Sequence, residues 1–307
     1  TLFPRLAASA LLSAALGACV LSSAQAQESC SDRLDCESSW VGLGAAERAE
    51  VFDFAEDYKG FIARARTELS FVSEARLFAE ANGFSELTTS TRLRAGDRLY
   101  EVNRDRTITL MVIGEEPIQS GFHVVGAHID SPRLELKGRP LYDKSEFTLF
   151  QTNYHGGIKF HQWTNLQLAL MGRVDKKDGS VVEIEIGLDP ADPIFMIPEL
   201  SPHVDRSRSS KTLREFLGPE DMDPVIAHIP GVEGEAVGKQ VLAFLAANYG
   251  ISKADLVSAE LALVPAGAPR DMGFDRGLIA AYGQDDRLAG YATLRAIADV
   301  DRPQITT

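Results

Sequence analysis

The stretch GFHVVGAHIDSP, residues 121–132, restricts the possible folds of this chain more than any other. Its first half is an almost unbroken apolar run, the pattern of a strand buried on both faces in the middle of a sheet. It then turns polar at once, with His128, Asp130, Ser131 and Pro132. A strand has a side-chain period of two, so His128 and Asp130 are predicted to face the same way where strand gives way to loop. A second stretch, GLIAAYGQDDRLAGY at 277–291, has the same form: a buried strand running into polar residues that open a helix. Strand ends of this kind are where α/β sheets usually bind ligands.

The remaining elements are consistent with such a sheet. From Ala45 to Asn82 apolar and charged residues alternate at helical spacing, with Ser73 as an N-cap and Gly83 as a stop. RLYEVNR and TITLMVIG then form a hairpin about a turn at Arg104–Arg106. From about Arg133 to Ala266 the composition changes to short β-like stretches, including FTLFQTNY, LQLALMGRV, SVVEIEIGL and LVSAELALVPA. One amphipathic helix, GEAVGKQVLAFLAANYG, closes at Gly250, and SPHVDRSRSSKTLREFLGPEDMDP reads as a charged loop. The predicted class is therefore α/β, a sheet flanked by helices and interrupted by a β-rich insertion. The divisions are 1–26, 27–134 for the first part of the sheet domain, 135–265 for the insertion and 266–307 for its second part.

The chain has 307 residues and a net charge of −13, which argues against nucleic acid or an anionic membrane as a partner. Residues 1–26 form a leader-like segment: Arg5, an Ala/Leu-rich apolar run, then small residues. The run is shorter than the roughly 20 residues that span a bilayer. Cleavage after Ala24–Ala26 would leave Gln27 first, whereas LGAC would leave a lipid anchor on Cys19. Both routes stay open, and both imply export, to the periplasm or to a membrane-anchored lipoprotein. The spacing of Cys30 and Cys36 permits a small disulfide loop, and two lone thiols make a poor zinc site.

His128 can offer an imidazole nitrogen to a metal while Asp130 accepts a hydrogen bond from the other ring nitrogen and fixes the tautomer. Asp285 is placed where one carboxylate can bridge two ions. Taken alone, QDD opening a helix reads as a cap, and H-x-D is a common pairing. His123 falls on the opposite face and reads as packing. The glycines beside His155 suggest close backbone approach there, with lining the site the lesser reading; His228 reads as structural, and Trp163 as a core or interface anchor.

FHVVGAHIDSPRLELK, NYHGGIKFHQWTNLQLALMGRV and SAELALVPAGAPRDMGFDRGLIAAYGQDDRLAGYATLRAI together resemble, in this order, the aspartyl aminopeptidase and vacuolar aminopeptidase I family of metallopeptidases. The resemblance implies a metallopeptidase-type mixed sheet with an inserted β-rich oligomerisation domain. It implies release of N-terminal residues from peptides by two divalent metal ions, usually Zn2+. On this pattern His128 is a ligand, Asp130 supports it and Asp285 bridges both metals. His203, in IPELSPHVDR, matches a family histidine that contacts substrate in a neighbouring subunit's site, and the family assembles into dodecamers. The family's paired glutamates, a further aspartate and a late histidine have no counterpart after Asp299, so these residues are expected to be an incomplete portion of the enzyme. The leader also departs from a family that is typically intracellular. The alternatives are a catalytically silent relative acting as a binding or assembly subunit, and another two-metal hydrolase such as a deacylase.

Overall fold

The computed structural model describes residues 38–206, 208, 210–231 and 236–307. The expected leader, with Cys19, Cys30 and Cys36, lies outside the described residues. Two compact units are present, one ending at Phe54 and one running Ala55–Thr307. In the first, Glu47 accepts from the Gly44 N–H (2.7 Å) and Arg48 donates to the Trp40 carbonyl (3.0 Å) at the start of α1 (Ala45–Arg64).

In the second unit α1 stops and α2 (Glu68–Ala81) begins at a reciprocal cap. The Ser70 N–H donates to Thr67 Oγ1 (3.2 Å) and the Thr67 N–H donates to Ser70 Oγ (2.8 Å). This capping box places the expected cap, Ser73, inside the helix, because Thr67 caps it six residues earlier. β1 (Ser85–Glu86) pairs parallel with β2 (Arg98–Asn103), which forms the expected hairpin with β3 (Thr107–Val112). Arg104 and Asp105 supply its left-handed turn, with φ of 55° and 56°.

A six-stranded antiparallel sheet follows. It comprises β4 (Arg133–Lys144), β5 (Phe147–His155), β6 (Leu168–Asp175), β7 (Val181–Ile186), β8 (Val225–Ala227) and, after α3 (Gly238–Tyr249), β9 (Ala259–Pro265), in the order β7-β6-β9-β4-β5-β8. β4, which leaves the site loop, and β9, which returns from the sheet, are neighbours through Leu134↔Leu263 and Glu135↔Ala262. β6 comes so close to β9 that a Cβ at Gly172 (φ 136°) would lie 2.0 Å from the Glu260 carbonyl oxygen. Buried Arg66 closes the return by donating to the carbonyls of Pro265 (2.6 Å) and Gly267 (3.1 Å). Trp163 belongs to this sheet's core, as expected.

β10 (Arg270–Met272) and β11 (Leu278–Ala280) form a two-stranded hairpin before α4 (Gln284–Ala298). Three expectations are corrected here. Residues 123–132 form no strand: Phe122 bridges Thr306, while Val124 and Val125 are 74% and 78% exposed. In GLIAAYG only Leu278–Ala280 pairs, and Leu278 is exposed. Both runs suit a strand paired on each side, and these lack the second neighbour within the described residues. His123 is likewise exposed rather than packed; its backbone N–H donates to Thr306 O (2.9 Å). Among the described residues no helix is long and apolar enough to cross a membrane.

Leu263 is fully buried between Leu134 and Leu170. Leu263→Ala is expected to cost about 2–5 kcal/mol in guanidinium unfolding. A loss under about 1 kcal/mol would show that the β4–β9 junction is not a packed core.

Candidate metal centre

The loop after Phe122 is aimed by residues that turn inward, Ile129 and Ser131. Ile129 packs in the cluster of Phe71 and Tyr291, and a Cβ on Gly290 of α4 would lie 3.2 Å from Ile129 Cγ2. Gly290 therefore lets α4 approach the loop. With Ile129 turned in, His128 and Asp130 turn out together, as the period-two reading requires. His128 Nδ1 lies 3.2 Å from Asp130 Oδ1, and its Nε2 lies 3.4 Å from Asp285 Oδ1.

Asp285 reaches this position from the turn into α4. Gly283 (φ 73°) is the N-cap and makes no side-chain cap, while Asp285 (φ −90°, ψ 106°) and Asp286 (φ −121°, ψ 30°) depart from helical backbone. The Asp285 side chain is 94% exposed, and among the described residues it accepts no hydrogen bond from the helix N-terminus, which leaves it open to a ligand.

The backbone beneath is tied down. Ser131 Oγ donates toward the carbonyls of Asp285 (3.0 Å) and Gly283 (3.3 Å), and Tyr282 donates its hydroxyl to Pro132 O (2.8 Å). Arg287 donates to Gly283 O (3.0 Å), to Tyr282 O (3.0 Å) and to Ala65 O. Behind Pro132, Arg133 pairs with Glu68 (2.8 Å) and Glu135 (2.7 Å), and His155 Nε2 pairs with Glu135 (2.8 Å). None of these supporting contacts was legible in the sequence. Ser131 and Arg287 stand inside the two motifs, but nothing in their spacing shows what they bind.

A proton on Nδ1, facing Asp130, leaves the Nε2 lone pair directed toward Asp285. Zinc–ligand distances of 2.0–2.1 Å place two donors of a tetrahedral ion about 3.3 Å apart, and the 3.4 Å between Nε2 and Oδ1 agrees with that spacing. His128 and Asp285 thus fit a divalent metal as two of its donors. Among the described residues no group of three or more His, Cys, Asp or Glu is gathered to hold an ion. His203 lies in an exposed turn and shares no hydrogen bond or ion pair with His128 or Asp285 among the described residues. His228 stacks on Phe147 (4.7 Å) with Nδ1 3.0 Å from Glu146 O, consistent with a structural role.

A family model described as aminopeptidase I zinc metalloprotease (M18) matches residues 61–306. The chain belongs to the M18 family. The probable M18 family aminopeptidase 1 of Clostridium acetobutylicum is 37% identical over 277 residues, which cover 88% of this chain and 60% of that protein. The crystal structure of the M18 aminopeptidase of Thermotoga maritima superposes with a TM-score of 0.83 at 36% identity, over 89% of this chain and 60% of that one. At 19% identity and a TM-score of 0.63, the mApe1 dodecamer of S. cerevesiae shares the fold, over 84% of this chain and 59% of that one. This M18 chain thus spans about 60% of the length of the relatives it matches.

Partial desolvation lowers the proton affinity of His128, but the carboxylates of Asp130 and Asp286 outweigh it, and the pKa is raised above that of an ordinary histidine. The metal-free ring keeps its proton to higher pH, so metal competes with that proton until the pH exceeds the raised value. In metal-free protein, NMR titration of the His128 ring should give a midpoint above about 6.5. Asp130→Asn should bring it down, and an unchanged midpoint would mean that Asp130 does not govern the ring.

Proposed function

We propose that this chain is part of an exported metallo-aminopeptidase that removes N-terminal residues from peptides. The observation that carries the reading is the convergence of His128 Nε2 and Asp285 Oδ1 at 3.4 Å in a chain of the M18 family. In the proposed centre His128 supplies a nitrogen donor. Asp130 holds the Nδ1 proton, keeping Nε2 available and the ring oriented. Asp285, its carboxylate free of packing, would be shared between two divalent ions, taken to be zinc. When bound, the ions supply Lewis acidity toward the scissile carbonyl and the attacking water. Two protein donors fall short of the three that a catalytic zinc ordinarily takes. Activity on this reading requires further donors beside His128 and Asp285.

Residues 27–134 and 266–307 form the catalytic domain in this proposal, and 135–265 the inserted assembly domain. The solved S. cerevesiae relative is a dodecamer. A homo-oligomer would let the exposed His203 reach a neighbouring subunit's site and contact substrate there. Residues 1–26 would direct export, with processing before Gln27 or lipid anchoring at Cys19.

In the complete native protein, His128→Ala and Asp285→Ala are expected to abolish aminoacyl-substrate hydrolysis and to lower bound zinc while the fold survives. His203→Ala should cut turnover with metal retained. Mixed oligomers of His203→Ala and His128→Ala should then regain activity, because some sites pair an intact centre with an intact neighbouring histidine. Wild-type activity in either ligand variant would refute the metal centre, and no recovery after confirmed subunit exchange would refute the shared site. Cell fractionation should find protein beginning at Gln27 or at a lipidated Cys19 outside the cytoplasm. Unprocessed protein in the cytoplasm would exclude export.

A further inference from the structure

We infer that Ser131 is a positioning residue that sets the spacing of the two ligand-bearing loops, with Tyr282 in support; this rests on the metal-centre reading above. The side chains of His128 and Asp285 are 57% and 94% exposed, so packing does not fix them. Their relative position is inherited from the backbone that carries them. Ser131 is only 7% exposed and directly follows Asp130. Its hydroxyl lies 3.0 Å from the carbonyl oxygen of Asp285 and 3.3 Å from that of Gly283. One hydroxyl proton serves one of these carbonyls or is shared between them. In either case the bond ends on the main chain of the Gly283–Asp285 turn and leaves the Asp285 carboxylate free.

Tyr282 ties the loops in the opposite sense, donating from the Asp285 side to Pro132 O at 2.8 Å. Burial pushes its phenol up to about 12, so it stays a donor through the physiological range. Arg287 holds the Tyr282 and Gly283 carbonyls, each at 3.0 Å. Residues 282–285 are therefore fastened to the His128 loop by Ser131 and Tyr282 and to the helix by Arg287. A hydroxyl that only stabilised the fold would lower the melting temperature without altering a metal site. One that sets ligand spacing alters the affinity and the coordination geometry.

The test uses the complete native protein, with zinc affinity measured by competition against a chromophoric chelator well below the unfolding temperature. The visible spectrum of the cobalt(II)-substituted protein is recorded alongside. Ser131→Ala is expected to weaken zinc about 10- to 100-fold, as loss of a supporting hydrogen bond does at metal sites, and to change the cobalt spectrum. Ser131→Thr, which keeps the hydroxyl, should recover most of the affinity. Wild-type affinity and spectrum in Ser131→Ala, with only the melting temperature lowered, would overturn the inference. Should Ser131→Ala not fold, Tyr282→Phe removes the parallel hydroxyl and keeps the ring; weakened zinc supports the inference and unchanged zinc overturns it. Unmodified protein that takes up neither zinc nor cobalt defeats the metal-centre reading itself, and this inference with it.

Discussion

Arg287 is a guanidinium only 1% exposed, with no carboxylate within ion-pair distance among the described residues. It spends its donors on the carbonyls of Ala65, Tyr282 and Gly283, and its charge lies over the Tyr282 ring, 4.7 Å from the centroid. Burying a cation is costly unless its hydrogen bonds are made, and here backbone oxygens make them. Desolvation lowers its pKa, yet an arginine stays charged over any ordinary pH range. The result joins the turn between α1 and α2 to the strand-to-helix turn before Asp285. The loops that present the candidate ligands are held against that turn.

A second joint follows the same chemistry. Arg66 is also buried and also donates to carbonyls, those of Pro265 and Gly267, where β9 leaves the six-stranded sheet. With β4 and β9 paired, entry to and exit from that sheet are adjacent, so a large excursion of chain returns beside its starting point. The site loop, which directly precedes β4, therefore ends on a fixed interior strand.

Much of this was legible from local pattern. The hairpin, the β-rich run between Arg133 and Ala266, the helix closed by Gly250 and the helix after Asp285 follow from periodicity and turn residues, which act over a few positions. His128 and Asp130 were legible for the same reason, since two residues of extended chain share a face. Two kinds of feature were not. The apolar runs before His128 and Asp285 report the surroundings that those segments suit, whereas Val124, Val125 and Leu278 meet no covering element within the described residues. Contacts such as Ser131 to Asp285 join positions 154 apart in sequence, and no local spacing encodes them.

The central claim is that His128 Nε2 and the Asp285 carboxylate bind one ion. Crystals of the complete native protein grown with zinc, with diffraction recorded on both sides of the zinc absorption edge, test it most directly. The expected result is an anomalous peak about 2.0–2.2 Å from both His128 Nε2 and an Asp285 carboxylate oxygen. Zinc bound elsewhere, with His128 Nε2 still facing Asp285 and no ion between them, would contradict the account.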